Sequence, residues 1–94
     1  LVQVNLYVVG YTDTQGSPSS NRTLSESRAR SIARELQRRG FSGDVFYQGF
    51  GEDILAVPTP DEIDEERNRR AVYILAAEMP PPSPGIPEQN WKQL

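Results

Sequence analysis

Residues 10–40 read GYTDTQGSPSSNRTLSESRARSIARELQRRG. An alternating apolar run leads into this stretch, a polar loop opens it, and an arginine-rich amphipathic segment closes it. The loop holds Gly10, Gly16, Pro18, three serines and Asn21, so Gly10 to Thr23 reads as a loop by composition. A connection that long in a compact domain is usually functional or disordered. Ser25 is the preferred N-cap of the following helix, with Leu24 and Ala29 as a weak hydrophobic staple. Thr23 with Glu26 forms a rival capping box. Leu24, Ala29, Ile32, Ala33 and Leu36 make one apolar stripe at helical spacing, and Arg30, Arg34 and Arg38 lie on another face. The helix ends at Arg39, with Gly40 as its stop.

Two residues in this stretch stand apart from packing. Asp13 follows the strand closely enough to be aimed by a rigid element. Arg28, with Ser25 as cap, sits at the third helical position, where the macrodipole disfavours a cation by a few tenths to about 1 kcal/mol. Departures from local rules concentrate at functional sites. With Thr23 as cap, Arg28 moves to the second turn and that argument weakens. Together, Asp13 and Arg28 suit a zwitterion: the carboxylate accepts from an ammonium, and the guanidinium holds a carboxylate through two parallel bonds. The competing reading is an Asp13–Arg28 salt bridge tying loop to helix. Thr12 and Asn21 flank the pair, and Asn21 suits a role in fixing the loop.

Working outward, Val2 to Val9 alternates with one apolar face and predicts a strand. Asp44 to Phe50 predicts a short strand, with Gly49 and Gly51 marking a bulge or turn at its end. Glu52 to Glu66, with Pro58, Pro60 and five acids in Asp61–Glu66, reads mainly as a loop with room for a short helical turn. Arg70 to Ala76 is apolar on both faces, which predicts an interior strand. Residues 79–94, with Pro80, Pro81, Pro82, Pro84 and Pro87, predict an extended, disordered tail in which Trp91 is a lone aromatic.

The composition narrows the function. Ninety-four residues make one small domain with a thin core. Mean hydropathy is −0.60, yet the apolar residues are clustered, which predicts a folded body with a loose end. There is no Cys or His, which removes thiol chemistry, His-based zinc sites and His-dependent triads. No carboxylate pair is placed in a cleft by spacing, and no nucleophile has an adjacent base, so the chain reads as non-catalytic, without metal or cofactor. The net charge of −3 and the lack of aromatics among the helix arginines argue against nucleic acid. Six arginines between Arg22 and Arg39 face eight acids between Asp44 and Glu66, a balance that fits an intramolecular match of basic helix and acidic loop. Arg67, Arg69 and Arg70 either neutralise that acidic run or add a second cationic wall to the pocket. No window approaches a membrane span, and no signal peptide is recognised.

The motifs, taken together, resemble a known signature. Gly10-Tyr11-Thr12-Asp13-Thr14-Gln15-Gly16, Asn21, Leu24-Ser25-Glu26-Ser27-Arg28-Ala29, Gly40, Gly49-Phe50-Gly51-Glu52 and Asn68-Arg69-Arg70 match the OmpA-like C-terminal domain in order and spacing. The resemblance runs from Val2 to about Ala76. It implies an α/β (α+β) sandwich and a non-catalytic domain that binds peptidoglycan through the diaminopimelate of the stem peptide. Asp13 and Arg28 would be the ligand-binding pair, with Thr12, Asn21, Asn68 and Arg69 as supporting pocket residues. The family fold begins with a strand and a helix ahead of Val2–Val9, so this chain is expected to hold roughly the last two thirds of it.

These readings combine into a partial OmpA-like domain over residues 1–78: a mixed three-stranded sheet with the Ser25–Arg39 helix on one face, followed by the 79–94 tail. The expected partner is peptidoglycan, on the periplasmic side of a Gram-negative outer membrane, with membrane attachment only through an anchor or parent domain. The alternative is an assembly subunit whose degenerate OmpA-like fold pairs with a partner chain through its sheet edge.

Overall fold

Small residues at the joint between the first strand and the helix set the architecture. The computed structural model describes residues 3–94. Leu1 and Val2, the second of which opens the predicted first strand, lie outside them. Strand β1 is Asn5–Tyr11, helix α1 is Pro18–Arg38, β2 is Val45–Gly49, β3 is Arg70–Ala76 and β4 is Lys92–Gln93. A single 3-10 turn, Glu66–Asn68, leads into β3. The sheet order is β3-β1-β2-β4. β1 and β2 run parallel across α1, as a β-α-β crossover requires, and the two outer strands are antiparallel to their neighbours. The α/β class and the mixed sheet agree with the sequence, but the strands number four rather than three.

The helix begins eight residues before the predicted Ser25 cap position would place its first turn. Ser17 is the N-cap, its side chain accepting from the Ser20 amide at 3.2 Å, and Pro18 occupies the first helical position. Proline suits that place because its missing N–H is one that the helix cannot use. Arg28 is therefore the eleventh residue of α1, and the dipole penalty argued from a Ser25 cap does not apply to it.

The apolar stripe is also rotated from the prediction. Leu24 is 41% exposed, while Ser25, Ala29 and Ala33 are fully buried. The reason is the strand beneath. A Cβ on Gly10 would stand 2.3 Å from the Ser25 carbonyl oxygen, and one on Gly49 would stand 2.3 Å from the Glu26 amide nitrogen. The helix backbone thus rests on the sheet, and only small side chains fit on the helix side of that contact. Ser25 Oγ uses the closeness, donating to Arg22 O at 2.9 Å and accepting from the Gly51 amide at 2.8 Å.

Leu6, Val8, Val45 and Tyr47 fill the space under α1 with Ala29 and Ala33, and Ile32, Leu36, Phe41 and Leu94 close its margins. The opposite face carries Val9, Tyr11 and Phe50. Residues 79–94, predicted as a loose tail, cover this second face. The Tyr11 hydroxyl donates to Gly85 O at 2.5 Å, and Ile86 is buried beside it. Gln48 holds the segment at both ends of its amide, donating to Glu88 O at 3.2 Å and accepting from Asn90 N at 3.1 Å. Trp91 meets Tyr7 edge-on with centroids 5.2 Å apart. Lys92–Gln93 then adds β4 to β2. The prolines keep the segment extended, and the bonds come from the residues between them.

β3 spans the predicted residues, but it is an edge strand rather than an interior one, with β1 as its single partner among the described residues. One helix covers only β1 and β2. Tyr73 and Leu75, which pair with Val8 and Leu6 and share their face, remain 63% and 59% exposed. They form one wall of an open groove of about 310 Å³ whose other side is Leu36, Arg39 and Phe41.

Candidate functional site

The loop after β1 is short once the helix is counted from Pro18, and nearly every polar group in it is engaged. Thr12 is buried; its amide donates to Gly51 O at 2.8 Å and its hydroxyl to Asp13 O at 2.9 Å. Asn21, one turn into α1, reaches back with its side-chain amide. Nδ2 lies 2.7 Å from Gln15 O, 3.3 Å from Asp13 O and 3.0 Å from Glu52 Oε1. Sequence reasoning assigned Asn21 to loop fixation, and the structure shows it clasping the loop by side-chain bonds. Thr14 ties the loop to the acidic segment, donating to Pro60 O at 2.7 Å and accepting from the Ile63 amide at 3.1 Å. Neither Thr14 nor Glu52 was among the predicted pocket residues.

Asp13 is the centre of this arrangement and only 4% exposed. Its Oδ1 accepts from the Gln15 amide at 3.2 Å, and its Oδ2 accepts from the Glu65 amide at 3.3 Å and from Arg69 Nη1. Burial by itself raises the pKa of a carboxyl group. Here the Arg69 bond and charge and the two amide bonds outweigh it and hold Asp13 below its ordinary value. Arg69 is shared with Asp64, so it both neutralises the acidic run and stands at the pocket, the two roles that the sequence left as alternatives. Arg67 pairs with Glu65 in the same run.

Arg28 is exposed on α1 and lines a cavity of about 160 Å³ between the helix and the start of β3, with Gly10, Ile32, Arg69 and Ala71 among its neighbours. The competing reading, an Asp13–Arg28 salt bridge, is not formed among the described residues; the acid is paired with Arg69 instead. The structure therefore joins the two in sequence, Asp13 to Arg69 and Arg69 beside Arg28 at one cavity.

Asn68 is fully buried, and its amide brackets Val57, accepting from the Val57 amide at 2.8 Å and donating to the Val57 carbonyl at 2.9 Å. It holds the acidic loop and is not among the residues lining the cavity. Among the described residues the match of basic helix to acidic loop reduces to one pair, Arg22 with Asp53 at 2.9 Å. Among the described residues there is no cluster fit to hold a metal ion, and no helix is long and apolar enough to cross a membrane.

A parallel β-α-β unit with an antiparallel third strand is consistent with an α/β OmpA-like domain. The chain belongs to the OmpA family, whose model matches residues 1–69. The peptidoglycan-associated lipoprotein of Pasteurella multocida is 38% identical over 66 residues, which is 69% of this chain and 44% of that protein. Outer membrane protein A of Serratia odorifera is 41% identical over 49 residues, 51% of this chain and 20% of its own length. The photosystem I chlorophyll a apoprotein A2 of Gloeobacter violaceus is 29% identical over 83 residues, 81% of this chain and 10% of that protein. The chain spans less than half the length of each of these relatives.

Proposed function

We propose that this domain binds peptidoglycan non-covalently through the diaminopimelate of the stem peptide, on the periplasmic side of the outer membrane, and so tethers its parent protein to the cell wall. It is a binding module without a reaction of its own. The observation that carries the reading is a relay of charges: a buried Asp13 is held by Arg69, and Arg69 lines one cavity together with Arg28. The amino-acid end of diaminopimelate offers an ammonium beside a carboxylate. Arg28 takes the carboxylate in a forked bond, for which guanidinium geometry is suited. Asp13 Oδ1 has one amide partner and keeps capacity to accept from the ammonium. Arg69 holds Asp13 in place, and Thr12, Asn21 and Asn68 hold the loops around it.

Membership of the OmpA family and the likeness to a protein named for its association with peptidoglycan support this reading. The matched stretch makes up 44% of one relative and 10% of another of a quite different kind, which supports a module carried by varied parents. Purified sacculi are expected to carry the chain down on centrifugation, with free diaminopimelate competing. Asp13→Ala and Arg28→Ala are each expected to abolish that sedimentation. If both variants sediment like the parent, the site assignment fails.

A second reading is a chain that pairs through its sheet with a partner chain; it is supported by β3 having β1 as its single strand partner among the described residues. A monomer in light scattering that still binds sacculi would exclude obligate assembly.

A further inference from the structure

Tyr11 and Arg70 form the last rung of the ladder between β1 and β3. Both are chain neighbours of the binding loop. Thr12 and Asp13 leave the sheet directly after Tyr11, and Arg69 enters it directly before Arg70. The ion pair of Asp13 with Arg69 is thus joined to both ends of one rung. Residues directly opposite in a ladder place their side chains on the same face. Here the Arg70 guanidinium lies over the Tyr11 ring, 3.9 Å from its centroid.

The 79–94 segment holds that rung from outside. The Tyr11 hydroxyl donates to Gly85 O at 2.5 Å. A hydroxyl at the far end of a rigid ring fixes the whole ring, and with it the guanidinium stacked on it. Ile86 is buried in one cluster with Val9, Tyr11 and Phe50. The Phe50 ring stacks on Tyr11 with centroids 6.1 Å apart, and Phe50 precedes Gly51, whose carbonyl accepts from the Thr12 amide. The segment therefore grips the residues from which the loop departs, while its own far end is held by Gln48 and Tyr7.

We propose that the 79–94 segment is a positioning element of the ligand site, acting through Tyr11 and Arg70 on the Asp13–Arg69 pair. With the segment docked, acid and arginine meet in one geometry, and a ligand finds them already ordered. With it lifted, the Tyr11 ring regains its rotamers, Arg70 loses its platform and the pair loosens. The coupling is reciprocal: a ligand that favours the ordered pair also favours the docked segment. The ligand half of this proposal rests on the peptidoglycan reading, and the effect on the ion pair does not.

The carboxyl carbon of Asp13, followed by NMR across pH, reads the pair in the folded chain. The groups facing it are Arg69 and the amides of Gln15 and Glu65, with Asp64 on the other side of Arg69. Tyr11→Phe removes the hydroxyl bond and keeps the ring under Arg70. Ile86→Ala alters the segment alone. Both are expected to move the Asp13 midpoint up toward 3.8, and Ile86→Val is expected to keep the parent's value. Should Ile86→Ala fail to fold, Tyr11→Phe carries the same test. Both variants are expected to bind sacculi about fivefold more weakly than the parent. In the parent, free diaminopimelate is expected to slow amide exchange at Asn90, which donates to Gln48 Oε1 at 3.1 Å. An Asp13 midpoint unmoved in both variants overturns the proposal, because a segment that only adds stability leaves the folded-state titration alone. A parent that binds neither sacculi nor diaminopimelate overturns the peptidoglycan reading, and the titration then decides the positioning by itself.

Discussion

Asp13 sits where burial and bonding act against each other, and its ionisation is linked to stability. Its carboxyl is held below the ordinary aspartate value of 3.8 because Arg69 and two amides outweigh the cost of burial. A carboxyl with a depressed folded pKa adds stability above its unfolded pKa, and that stability fades as pH falls through the folded value. The loss attributable to Asp13 thus begins near pH 3.8 and continues below it. Asp13→Asn removes the charge at all pH values. Its urea midpoint is expected to lie below that of the parent at pH 7, and the gap is expected to shrink as pH is lowered past 3.8. A gap that stays constant down to pH 2 would show that Asp13 carries no such linkage. Ser25 gives a second test. Ser25→Ala leaves the buried Gly51 amide without its acceptor, a loss of about 1–3 kcal/mol by urea unfolding. At this scale the sequence singled out Asp13 and put Arg69 near the pocket, but did not pair the two. A strand-end acid can be recognised from its neighbours in the chain, whereas Arg69 lies 56 residues away and meets it only once the acidic segment has folded over the loop.

At the scale of elements, the start of α1 is the clearest departure from the sequence reading. Ser17-Pro18 is a cap followed by a proline at the first helical position, which is a legible signal. The serines and Asn21 after it resemble a loop because such residues compete with the helix for backbone bonds. In the folded chain those side chains are occupied elsewhere: Asn21 clasps the loop, and Ser25 joins the helix to Gly51. Ser17→Ala is expected to cost about 1 kcal/mol in thermal or urea unfolding. An unchanged midpoint would argue against Ser17 as the cap. β3 was legible in its limits because a continuous apolar run bounded by charges is a strong local signal. Its position at the edge was not. That depends on how far one helix reaches across the sheet, which no property of residues 70–76 encodes.

For the molecule as a whole, the 79–94 segment is a structural cover for the second face of the sheet. Its composition announced only an extended backbone. The anchoring depends on separated residues, Tyr11 and Gln48 on the sheet and Ile86 and Trp91 on the segment. Trp91→Ala is expected to lower stability by roughly 1–2 kcal/mol, less than full burial of a large side chain is worth, because Trp91 is half-buried. Removal of residues 80–94 exposes Tyr7, Val9, Tyr11 and Phe50 together and is expected to bring dye binding and a lower melting temperature. A truncated chain that melts like the parent would mean that the segment covers the face without supporting it.

At the β4 border the sheet ends in two residues, one of them a lysine whose ammonium is paired with Glu26. So short a strand with a charge on it offers a poor template for strand addition, and the segment that covers the second face thereby also guards this border against unwanted pairing.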